Sequence, residues 1–156
     1  MPLSMPLPAA AGEPQEHALI RHLGHAGLIP LVGLALLVWL VTPDLQSWVA
    51  LALAAYAALI ASFLGGIHWG IGWSQLARTP GGKVHFIWGV VPSLLAWPGL
   101  VVPPYAGLAW LGMVLIVCYL VDRKLYPQAG LAGWLKLRFR LSAIAALSCF
   151  IGAGAL

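Results

Sequence analysis

Apolar residues fall into five runs, at about 27–41, 47–73, 85–101, 105–121 and 139–155, divided by short polar or proline-rich breaks. The runs are apolar on every face and most approach the length that crosses a bilayer, so they predict transmembrane helices rather than amphipathic surface helices. The breaks are Thr42-Pro43-Asp44, the Arg78–Lys83 stretch, Val102-Pro103-Pro104, and a charged segment that opens at Asp122. Asp44 is placed to cap the second helix. Pro92 falls within the third run and predicts a kink there. Residues 1–15 are rich in Pro and Ala and read as a disordered tail, leaving 16–156 as one domain. Residues 16–26 predict a short interfacial helix before the first span. Its His17, His22 and His25 read as a solvated face, not a metal site.

The second run is the longest. From Trp48 to Trp73 a helix would extend roughly 38 Å, more than a hydrocarbon core of about 30 Å. Ala50, Ala54, Ala58, Ser62, Gly66 and Gly70 recur every four residues along it. Ala57, Ala61, Gly65 and Gly72 form a second small face, shared with His68. Small residues let helix backbones approach closely, so two such faces predict a central helix with neighbours on both sides.

Composition strengthens this reading. Hydrophobic residues are 62% of the chain and charged residues 8%, against about 25% charged in soluble domains. The net charge of +4 does not point to nucleic acid, because the basic residues sit beside apolar runs. Arg21 precedes the first run, Arg78 and Lys83 lie between the second and third, and Arg123, Lys124, Lys136, Arg138 and Arg140 lie between the fourth and fifth. The remaining connections carry no Lys or Arg. The positive-inside rule then places the N-terminus inside and the C-terminus outside. The fold class is all-α, a bundle of five transmembrane helices. Cys118 and Cys149 lie inside apolar runs at different depths and read as unpaired buried thiols.

Candidate chemistry centres on Ser62–Trp73, where His68 stands among four glycines and two tryptophans. An ionisable ring inside a span is a functional candidate. His68, Trp69, Trp73, Gly65, Gly72 and His85 are candidates to line a flat lipophilic ligand such as a quinone. Asp122, Arg123, Arg138 and Arg140 are candidates for an ion pair or a proton site, with Asp122 pairing either an arginine or His68. No metal site and no cofactor is implied. The chain lacks a nucleophile–base pair, paired carboxylates and a phosphate loop, which argues against an enzyme.

The run Phe63-Leu64-Gly65-Gly66-Ile67-His68-Trp69-Gly70 resembles the signature of a family of small integral membrane proteins. Its bacterial members are known as a domain of unknown function, and transmembrane protein 69 is the eukaryotic relative. Val121-Asp122-Arg123 and Trp134-Leu135-Lys136-Leu137-Arg138 resemble its second block, with Gly133 departing from the family pattern. The resemblance implies a bacterial inner-membrane protein, or a mitochondrial one if eukaryotic, and no reaction. It singles out His68, Trp69, Asp122, Arg123, Trp134 and Arg138. The lipid bilayer is the expected partner, with other membrane proteins or self-association beside it. The leading expectation is an accessory or assembly protein. The alternatives are a binder of a quinone-like ligand and a proton-linked carrier using His68 and Asp122.

Overall fold

A computed structural model describes residues 13–76 and 82–156. Most of the expected tail, and Arg78 of the charge pattern, lie outside the described residues. The chain is all-α. Its helices are α1 (Glu13–Ala26), α2 (Leu28–Leu40), α3 (Pro43–Gln75), α4 (Lys83–Ala96), α5 (Pro98–Val101), α6 (Pro104–Leu125) and α7 (Leu135–Ala153). Two 3-10 turns, Pro127–Ala129 and Ala132–Trp134, join α6 to α7.

Among the described residues, four stretches are long and apolar enough to cross a membrane: Gln15–Leu40, Pro43–Gln75, Lys83–Val101 and Pro104–Leu125. Helix α7, at 19 residues, is only as long as the shortest of them and carries Lys136, Arg138 and Arg140 near its start. It still packs inside the bundle, with Ala145, Ala146, Cys149 and Gly152 buried.

Some junctions differ from expectation. The interfacial helix and the first span are nearly one rod. Gly27 keeps right-handed helical angles, and its N–H donates to the Leu23 carbonyl at 3.0 Å. Pro43 takes the first position of α3, where its missing N–H costs nothing, so Thr42 stands at the N-cap and Asp44 falls inside the first turn. Pro92 sits within a continuous α4, and the break comes at Trp97, before Pro98.

Helix α3 is the centre of the bundle and touches α2, α4, α5, α6 and α7. Its small residues explain how. Ala50, Ala54, Ala57, Ala58, Ala61, Gly65 and Gly72 are buried. The first stripe turns outward beyond Ala58: Gly66 and Gly70 are exposed, with nothing near where a Cβ would stand. Gly65 faces the Gly89 backbone of α4, and Gly99 faces Gly107 between α5 and α6. Exposed tryptophans fasten the seams. Trp39 Nε1 donates to the Ile151 carbonyl at 3.1 Å, Trp69 Nε1 to that of Phe86 at 3.1 Å, and Trp110 Nε1 to that of Leu95 at 2.6 Å.

The surface reverses a soluble protein. Large apolar side chains such as Ile29, Leu40, Trp48, Leu59 and Phe63 point outward, while alanines, glycines and several polar groups lie inside. That distribution is compatible with a bilayer as solvent.

Candidate functional site

Four helix ends meet where α3 and α6 finish and α4 and α7 begin. His68 lies seven residues before the end of α3, His85 is the third residue of α4, Asp122 is three residues before the end of α6, and Arg138 is the fourth residue of α7. Their relative exposures are 0%, 4%, 1% and 7%. One polar layer is therefore sealed into an otherwise apolar bundle.

The four side chains form a continuous hydrogen-bonded line. His68 Nε2 is 2.7 Å from Asp122 Oδ1, and His68 Nδ1 is 3.0 Å from His85 Nδ1. Arg138 Nε donates to Asp122 Oδ2 at 2.8 Å, and an Arg138 terminal nitrogen donates to Ser142 Oγ. The other terminal nitrogen, Nη2, is covered and has no partner. Tyr126 follows α6 and sets its ring 5.7 Å from that of His68. Burial, reinforced by the Asp122 carboxylate, pushes the Tyr126 phenol up to about 12 and keeps it neutral.

Proton bookkeeping assigns the tautomers. As a carboxylate, Asp122 can only accept, so His68 Nε2 carries hydrogen. A neutral His68 then has a lone pair on Nδ1, and His85 Nδ1 must donate to it. A proton arriving at His85 Nε2 can be passed inward. The shared proton moves to His68 Nδ1, and His85 is left neutral with hydrogen on Nε2. The charge then rests on His68, which donates both N–H groups, one to Asp122 and one to His85. The arrangement can pass a proton from His85 on α4 to His68 on α3 without moving a helix.

Not every candidate residue joins this layer. Arg123 and Arg140 are exposed, as are Trp69 and Trp73. The space beside Gly65 is taken by the Gly89 carbonyl, and that beside Gly72 by the Phe86 ring, whose nearest carbon is 3.0 Å from an added Cβ. Helix α4 itself fills the slot the sequence offered to a flat ligand. His25 Nδ1 bonds the Arg21 carbonyl oxygen at 2.7 Å, and His17 packs edge-on to Trp134 at 5.0 Å. Among the described residues no three His, Cys, Asp or Glu side chains converge as metal ligands. Cys118 and Cys149 are free and buried.

Sequence reasoning missed Ser142, Tyr126 and Gly89. The first two had a signal. Ser142 stands four residues after Arg138, and Tyr126 four after Asp122, one helical turn in each case.

Residues 17–154 match the family described as protein of unknown function (DUF3429). The chain belongs to this family. No curated protein and no solved structure matches it. The two blocks that carry the resemblance to the DUF3429 family lie more than fifty residues apart, yet His68 of the first bonds Asp122 of the second. Arg138, from the far end of the second block, closes the line.

Proposed function

We propose that this DUF3429 protein is a non-enzymatic integral membrane protein that couples a bound small ligand to a proton held by the His68–His85 pair. One observation carries the reading: the buried hydrogen-bonded line from His85 through His68 to Asp122. Ionisable groups at membrane depth are costly and mark binding or proton pathways more often than bulk packing. The five-span arrangement, with the polar layer at the inner side of a bacterial or mitochondrial inner membrane, belongs to the same proposal. So does the kinship with transmembrane protein 69.

A second reading, an accessory protein that packs against a partner helix, draws on Gly66 and Gly70, whose exposed faces leave room for a close backbone. Native mass spectrometry of the protein purified from its own membrane separates the two. The ligand reading expects one chain type carrying a small bound mass that is lost in His68→Ala. A stoichiometric protein partner, no small mass, and indifference to His68→Ala would favour the accessory reading instead.

A further inference from the structure

Beside the polar layer lies a cavity of about 470 Å³ between α1, α2, α3, α6 and α7. That volume is towards the lower part of the range of small-molecule sites, roughly 300–1,000 Å³. Its wall is almost wholly apolar, and Leu31, Leu64 and Leu115 on it are buried. Ile20, Leu23 and Phe63 line the cavity and are also exposed on the outside of the bundle, so the space opens sideways beside α1 and α3. The one charged wall residue, Arg138, is held by Asp122 and Ser142. A charge brought inside would therefore find no counter-charge, which is costly. Hydrocarbon meets no such penalty.

Charge gathers outside the cavity instead. The helices around it carry exposed cations: Arg21 on α1, Arg123 and Lys124 on α6, and Lys136 and Arg140 on α7. Among the described side chains of these three helices, the exposed acid set against them is Glu16. Arg21, Lys136 and Arg140 are chain neighbours of the wall residues Ile20, Leu137 and Leu141. Their long stems let the charged heads reach round a helix to the rim. The start of α1 is held over the α6–α7 connection, with the His17 ring 5.0 Å from that of Trp134, another wall residue. The cations of α1 and α7 therefore stand at the same end of the bundle.

We infer that the cavity holds one acyl chain of an anionic phospholipid, whose phosphate rests outside it among Arg21, Lys136 and Arg140. The chain follows from the apolar wall, and the sideways opening gives it a route in from a bilayer. The volume suits one chain, and the second lies along the exposed side chains of Leu23 and Phe63. The anionic head follows from the exposed cations, since Lys and Arg clustered at a membrane surface attract anionic lipid. Because the head stays outside, no charge is buried. This site goes beyond the proton-linked reading and does not depend on it, as neither His68 nor His85 lines the cavity.

The test titrates delipidated protein in nonionic detergent with dioleoyl phosphatidylglycerol and with dioleoyl phosphatidylcholine, which has the same chains and no net charge. Native mass spectrometry counts the lipids that stay bound. One phosphatidylglycerol should be retained per chain, at least about tenfold more tightly than phosphatidylcholine at low ionic strength. The preference should shrink as ammonium acetate is raised. Changing Arg21→Gln, Lys136→Gln and Arg140→Gln together should bring the two lipids to equal affinity, and all three residues are exposed, so the fold should survive. Ile60→Trp narrows the cavity two turns before His68 and should weaken both lipids. Equal affinity of the unaltered protein for the two lipids would overturn the assignment, as would a preference that survives the triple change. Lipid binding indifferent to Ile60→Trp, or several phosphatidylglycerols held with equal strength, would show a diffuse basic surface in place of a site and overturn it too.

Discussion

Asp122→Ala is expected to destabilise the folded protein by about 3–5 kcal/mol, the usual cost of leaving one partner of a buried ion pair alone. Arg138 would lose the acceptor on its Nε, with Nη2 already unpartnered, and His68 would lose the acceptor on Nε2. All three groups are buried, so no water is at hand to replace the carboxylate. The diagnostic comparison is the double change Asp122→Leu with Arg138→Met. It removes both charges together and should recover most of the loss, because an apolar pair of similar volume pays no desolvation. Recovery should be incomplete, since His68 Nε2 still lacks its acceptor. Denaturant titration in mixed micelles, followed by tryptophan fluorescence, gives both numbers. A single variant as stable as wild type would mean that this layer is wet and the pair is not buried in solution.

Adjacent glycines of α3 should respond with opposite sign. A Cβ at Gly65 would run into the Gly89 carbonyl oxygen, which is backbone and cannot swing away. Gly65→Val must therefore push α4 off α3, an overpacking cost of about 1–3 kcal/mol. His68 is one turn further along, so the same displacement stretches the 3.0 Å bond to His85 and the 3.1 Å bond from Trp69 to Phe86. Gly66 faces open space. Gly66→Ala meets nothing and removes a flexible residue from a helix interior, a gain of about 0.5–1 kcal/mol. The same titration checks both. Equal effects at the two positions would contradict the α3–α4 packing.

Much of the fold was legible because the helices are long runs of apolar residues and the breaks between them are polar or proline-rich. The central place of α3 followed from its two small faces. The join of α1 to α2 was not legible, since Gly27 reads as a boundary but adopts helical angles when its N–H can reach Leu23. At the site, His68 and Asp122 stood out as ionisable groups in apolar company. The choice of Arg138 over Arg140 could not be read. Two residues on a helix differ by about 200°, and only the packing of α7 against α6 says which one turns inward. His85 looked interfacial because it lies near the start of its run. The Gly65–Gly89 contact draws α4 in so closely that the ring is covered. That contact depends on Gly89, which no local pattern marks.

Nitrogen NMR of histidine-labelled protein in lipid reads the proton shared between the two buried rings directly. A coupling between His68 Nδ1 and His85 Nδ1 across their hydrogen bond is the expected result. A strongly deshielded His68 Nε2–H, which moves in Asp122→Asn, and ring signals that shift together when one proton is added are expected with it. Two rings that titrate independently, with no coupling between them and N–H groups that exchange freely with water, would contradict it.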